Sequence, residues 1–123
     1  AGIREKMQVF GDNYDTHDGT GVRDYIHVSD LAIAHMKALN YISENDKDLL
    51  VNLATGEGHS VLDVINKSKE VSGKDIPFDI VGRRAGDPAT VVAVSNRANK
   101  VLDWSTKYSD LDTLIRTSWD VYK

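Results

Sequence analysis

The sequence predicts an α/β fold with a small sheet and flanking helices, and three observations carry that prediction. Short apolar runs of strand length alternate with longer stretches whose apolar residues recur at helical spacing. Cap signals, Ser60 with Asp63 and Ser109 with Asp112, stand at the starts of two of those stretches. No repeat, low-complexity tract or linker breaks the alternation across residues 1–123, so a single domain is expected.

Each element follows from a local signal. Ala1 to Lys6 carries little pattern and is expected to fray, and Ala1-Gly2-Ile3-Arg4, without an initiating Met, reads as the middle of a longer chain. Met7 to Phe10 is a short strand stopped by the Gly11-Asp12-Asn13 turn. After a loop, Gly19 and Gly21 shape a second turn, and Val22 to Val28 is β-prone. Ser29 or Asp30 is expected to cap a helix whose apolar positions are Leu31, His35, Leu39 and Ile42, with Ala32, Ala34 and Ala38 beside them. Ser43 to Asp48 ends it in polar residues.

Leu49 to Leu53 reads as a buried strand. Ser60 and Asp63 cap a helix carrying Val61, Val64, Ile65, Ser68 and Val71, with Gly73 suited to its C-terminal end. Ile76, Phe78 and Ile80 alternate as a strand that Pro77 places at a sheet edge. Gly82 to Pro88 is a charged loop, and Val91 to Val94 is a second buried strand. Ser95 caps a brief helix to about Leu102. Ser109 caps the last helix, striped by Leu111, Leu114, Ile115, Ser118, Trp119 and Tyr122.

Composition excludes several functions. With 41% apolar and 28% charged residues the chain is globular rather than disordered. A net charge of −4, without a basic run, argues against nucleic-acid or anionic-membrane partners. The absence of cysteine removes disulfides, zinc-thiolate sites and thiol nucleophiles. No apolar stretch approaches the ~20 residues of a membrane helix.

The common catalytic and cofactor motifs fail on inspection. Gly56-Glu57-Gly58-His59-Ser60-Val61 precedes a helix but lacks the third glycine of a dinucleotide loop, and Gly19-Thr20-Gly21 has Asp24 there. Gly73-Lys74-Asp75 is not a P-loop, and G-x-S-x-G, S-x-x-K and Y-x-x-x-K are absent. His27 is expected to cap or hydrogen-bond near Asp30, and no second ligand pair makes it a metal site. No catalytic, cofactor or metal residues are assigned. Two constellations remain: Arg23-Asp24 with Phe10 upstream, and the loop Arg83-Arg84-Ala85-Gly86-Asp87. Guanidinium forks bind phosphate and carboxylates accept sugar hydroxyls, which suits a nucleoside diphosphate; solvated surface pairs are the other reading.

The residues also carry a resemblance. F-G-D-N-Y-D-T-H-D-G-T-G-V-R-D-Y-I-H-V-S-D-L (Phe10 to Leu31) closely resembles the same stretch in UDP-glucose 4-epimerases, which are extended short-chain dehydrogenase/reductases. The likeness continues through Asn52 to Ile65, Arg83 to Ala89, Val101 to Trp104 and the Trp119 helix. The resemblance implies the C-terminal substrate-binding lobe of such an enzyme, without its N-terminal Rossmann lobe. That absent lobe would hold NAD and the catalytic tyrosine-lysine pair, so the chain alone would be inactive. By the same resemblance Phe10 lies against the uracil, Arg23 and Arg84 hold the diphosphate, and Asp87 accepts the ribose hydroxyls of a UDP-hexose. Val91 matches a position near the sugar. The parent enzyme would be a cytoplasmic homodimer interconverting UDP-glucose and UDP-galactose in galactose metabolism. The alternatives are a stand-alone nucleotide-sugar-binding module, or the same lobe of a sister dehydratase or decarboxylase. Two departures, Ala54 and Asp103, stand where the family has glycine; Asp103 is expected to end a helix in a left-handed conformation.

Overall fold

A computed structural model describes residues 4–123. The elements run β1 (Met7–Phe10), β2 (Val22–Arg23), α1 (Val28–Asn45), β3 (His59–Ser60), α2 (Val61–Ser72), β4 (Phe78–Val81), β5 (Thr90–Val91), α3 (Asn96–Leu102) and α4 (Leu111–Tyr122). β1 and β4 form a parallel pair, in register from Met7 opposite Phe78 to Phe10 opposite Val81. β2 lies between β3, antiparallel, and β5, parallel. The expected α/β class with a small sheet is what the chain forms, the sheet being divided in two. The expected start of the chain lies partly outside the described residues, at Ala1 to Ile3; Lys6 is held by Asp79 at 3.1 Å.

Helix starts show local and long-range chemistry in competition. α2 begins in the expected capping box: Ser60 Oγ accepts from Asp63 N–H while Asp63 accepts from Ser60 N–H, each at 2.9 Å. It ends at Gly73, φ 65°. α1 is capped not by Ser29 or Asp30 but by His27, whose Nδ1 accepts from Ser29 N–H at 3.0 Å. α4 is capped by Asp110 rather than Ser109. Both shifts have one cause. Asp30 is fully buried and accepts from Ser109 Oγ at 2.6 Å, from Tyr108 N–H at 2.9 Å and from Lys107 N–H at 3.0 Å. Ser109 in turn accepts from His27 N–H at 2.9 Å, so neither side chain is free to cap its own helix. α3 ends at Asp103 with φ 47°, the left-handed conformation expected there.

The core cluster is Ala34, Ala98, Leu102 and Trp104, flanked by Ile33, Ala38, Tyr41, Leu49, Val51, Leu53 and Val101. α1 therefore packs through its alanine face against α3, where small side chains allow close approach. Of the positions expected along this face, Ala34 and Ala38 meet the core, whereas Leu39 is 69% exposed and Ile42 44%. Apolar residues on both faces of α1 made the periodicity ambiguous. Leu49 to Leu53 is not a strand; no strand among the described residues lies opposite it, and its alternation leaves Leu50 outside. β2 stops at Arg23 instead of Val28; Asp24 N–H still donates to Val91 O at 3.1 Å, and its carboxylate accepts from Thr55 N–H and Gly56 N–H, both at 3.0 Å. Val91 to Val94 is not buried: the strand is only Thr90–Val91, and no layer covers Val91, Val92 or Val94. α4 packs on α2 through its central apolar residues, while Tyr122 stays exposed.

Burial alone would raise the Asp30 carboxyl, but hydrogen bonds from Ser109, Tyr108 N–H and Lys107 N–H, with His27 nearby, hold it below its ordinary value of 3.8. A depressed folded-state value makes this contribution complete above 3.8 and lost as the pH falls through the folded-state value. Asp30→Asn should therefore cost about 1–3 kcal/mol at neutral pH in urea unfolding. The variant should also lose less further stability than the wild type on acidification below about pH 4. Equal acid sensitivity of the two proteins would contradict the assignment.

Candidate functional site

β1 and β4 run in parallel, so both deliver their C-terminal ends to the same edge of the molecule. Phe10 closes β1, and the Gly82–Ala89 segment leaves β4 beside it. Gly11 N–H donates to Val81 O at 2.9 Å and joins the two ends. Within the segment, Asp87 N–H donates to Arg84 O at 3.2 Å across a turn whose third residue, Gly86, has φ 76°. A side chain at that position would be strained, so the turn that separates Arg84 from Asp87 depends on glycine.

The turn sorts the four sequence-predicted residues into two pairs. The Arg84 guanidinium lies 3.7 Å from the centroid of the Phe10 ring, close enough for a cation–π contact. Asp87 Oδ1 accepts from Arg23 Nη2 at 2.5 Å. Arg23 also donates to Val22 O at 2.7 Å, to Pro88 O at 3.0 Å and to Ala89 O at 3.4 Å. It thus buckles the end of the loop to β2, a task the sequence did not reveal. Among the described residues Arg84 has no hydrogen-bond acceptor or carboxylate partner and Asp87 Oδ2 has no donor. A charged fork with unspent donors therefore stands one turn away from a carboxylate with a free acceptor. That combination can bind a phosphate oxygen and a hydroxyl together. Val91 pairs in register with Arg23 and is 47% exposed.

Other features of the surface do not make a competing centre. The N-terminus of α2 is the place where a dinucleotide pyrophosphate sits in a Rossmann unit. Here Asp63 caps it and Asp18 reaches it through a hydrogen bond from Ser60 Oγ. Burial would raise both carboxyls, but hydrogen bonds from Ser60, joined by Thr20 for Asp18 and His17 for Asp63, hold them below 3.8. Two ionised carboxylates at that position would repel a pyrophosphate, so NAD does not fit this chain's own glycine turn. His17, Asp18 and Asp63 place ligand-type atoms within 4.8 Å of one another, yet both acids are already engaged in capping and turn hydrogen bonds. A cleft of about 490 Å³ lies elsewhere, between Met7, Ile76, Pro77, Ile115, Trp119 and Tyr122.

No protein-family model matches the sequence. Curated relatives bear out the resemblance to UDP-glucose 4-epimerases: the chain is 44% identical to the enzyme of that name from Lacticaseibacillus casei over 98% of its own length, and 47% identical to the one from Corynebacterium glutamicum over 96%. It spans only 36% of each. Among solved structures, it is similar to UDP-glucose 4-epimerase from Stenotrophomonas maltophila, which holds NAD and formylated UDP-arabinopyranose, with TM-score 0.91 and 45% identity, covering 97% of this chain and 35% of that one. The corresponding figures for the Bifidobacterium longum enzyme, in complex with NAD+ and UDP, are 0.87, 40%, 99% and 36%. The fold is that of the C-terminal region of the extended short-chain dehydrogenase/reductase epimerases.

The buckle can be tested by a double-mutant cycle. Arg23→Gln should cost more stability than Asp87→Asn, about 1–3 kcal/mol, because it strands three carbonyls as well as the acid. The coupling between the two sites should be about 0.2–1 kcal/mol and should shrink with added salt. Equal single costs would show that Arg23 does not hold the loop.

Proposed function

We propose that this chain is the UDP-binding portion of a UDP-glucose 4-epimerase. The observation that carries the reading is Arg84, stacked on Phe10 with its donors unspent and one turn from Asp87. In this reading Arg84 takes the diphosphate, Phe10 borders the uracil, and the free oxygen of Asp87 accepts a ribose hydroxyl. Arg23 keeps Asp87 in place and contributes its positive charge to the diphosphate. These four residues supply binding energy remote from the reacting carbon of the sugar and hold the nucleotide while the hexose turns. The residues that bind NAD and perform the chemistry belong to the two thirds of the relatives' length that this chain does not span, so residues 1–123, acting as one domain, are inactive alone. The parent enzyme, by the same likeness, is a cytoplasmic homodimer of galactose metabolism.

A partner lobe is also supported by what α1 leaves outside. Val28 is 74% exposed, and Met36 and Leu39 are each 69% exposed, along one side of the helix. Leu50, 81% exposed, lies in a segment that pairs with no strand among the described residues. Apolar side chains and unpaired backbone of this kind suit burial against another sheet.

Two outcomes test the reading. Mixing the folded chain with the separately purified N-terminal two thirds of a relative, plus NAD, should restore conversion of UDP-galactose to UDP-glucose in a coupled NADH assay; a soluble, folded pair that stays silent would sink it. In the reconstituted enzyme Arg84→Ala should weaken UDP binding by roughly 1.5–3 kcal/mol, and unchanged affinity would remove Arg84 from the site.

A further inference from the structure

Arg83 precedes the arginine of the candidate site, and its side chain engages the chain beside β1. Its Nε donates to Asn13 Oδ1 at 2.7 Å, and its Nη2 donates to the Asn13 carbonyl. The guanidinium lies 4.0 Å from the centroid of the Tyr14 ring. Tyr14 is 6% exposed, and its hydroxyl is buried without a hydrogen-bond partner among the described residues. The ring is therefore held by packing and by the arginine above it rather than by a polar bond. Gly11 completes the arrangement: a Cβ there would lie 2.7 Å from Arg83 Cγ and 2.8 Å from Tyr14 Cε2. The stem of Arg83 and the tyrosine ring fill the space that a side chain at Gly11 would need.

Arg83 and Arg84 thus clasp the two ends of the same stretch. Arg83 grips Asn13 and Tyr14, after the β1 turn, and Arg84 covers Phe10, before it. Only two soft backbone dihedrals separate the directions of neighbouring side chains. Fixing Arg83 by these bonds and by the Tyr14 ring therefore limits the direction in which the Arg84 side chain leaves the backbone.

We propose that Arg83 is a positioning residue for nucleotide binding: its clamp on Asn13 and Tyr14 holds the Arg84 guanidinium over the Phe10 ring, with its unspent donors presented to the diphosphate. The consequence for binding rests on the UDP reading above; the clamp itself does not.

Lysine at position 83 keeps the charge but cannot make two fixed bonds and a planar stack at once. Arg83→Lys and Asn13→Ala should each move the Arg84 side-chain Hδ signals out of the upfield position that the Phe10 ring current imposes, as seen in carbon–proton correlation spectra. Each should weaken UDP binding about tenfold, the scale of one charged hydrogen bond. The salt dependence of binding should stay at its wild-type slope, because no phosphate contact is removed. The second variant keeps the test open if the first fails to fold. Arg84 signals unchanged in both variants would overturn the proposal whatever UDP does. Displaced Arg84 signals with undiminished UDP affinity would overturn its role in binding, and a flattened salt slope would make Arg83 a direct phosphate ligand instead. A wild-type chain that takes up no UDP would defeat the nucleotide reading separately, with the Arg84 signals still deciding whether Arg83 sets the stack.

Discussion

The Gly82–Ala89 segment is held at both ends by parallel strand pairing, and the candidate site depends on that constraint. At one end Phe10 lies opposite Val81; at the other Val22 lies opposite Thr90. Parallel partners leave a sheet in the same direction, so the end of β1 and the start of the loop arrive together. The ladders are short, two to four residues, and pairs this small are marginal in water without reinforcement. Side chains supply it: Arg23 ties β2 to the carbonyls of Pro88 and Ala89, and Arg83 ties the loop to Asn13. Arginine suits both tasks because its donors diverge in a plane and reach several acceptors at once.

A second constraint fixes the chain on the far side of Arg23. β2 gives way to α1 through His27, whose backbone N–H is held by Ser109, and Ser109 is held by buried Asp30. Trp104, nearly fully buried, donates its ring N–H to the Asp30 carbonyl at 3.0 Å. One carboxylate thereby joins the first turn of α1 to the loop before α4. Leaving its donors unpaired would cost more than a surface contact, because buried N–H and O–H groups find no water. The helices set the direction of β2, and β2 sets the position of Arg23.

What was legible in the sequence was mostly local. The capping box at Ser60, the Gly73 end, β1, β4 and the left-handed Asp103 depend on neighbours within a few positions. Ser29 or Asp30 as the cap of α1, and Ser109 as the cap of α4, were misplaced because Asp30 and Ser109 serve each other across the chain, while the capping role expected of His27 is realised. The outward residues of α1 and the run from Leu49 to Leu53 misled for another reason: Leu39, Ile42 and Leu50 are exposed, and Leu49, Val51 and Leu53 reach the core from a segment that pairs with no strand among the described residues. Phe10, Arg23, Arg84 and Asp87 were selected through the resemblance, and residue types alone left a solvated-charge reading open. Their assortment into a stack and an ion pair, and the engagement of Arg83 with Asn13, arise from contacts that no local pattern encodes.

The claim that this edge of the molecule is the nucleotide half-site is tested most directly by titrating UDP into the isotopically labelled chain and following backbone amide resonances. Shifts that saturate and cluster at Phe10, Arg23 and the Arg84–Asp87 turn are the predicted result. Saturating shifts around Trp119 and Tyr122, with the Arg84–Asp87 turn unmoved, would contradict it.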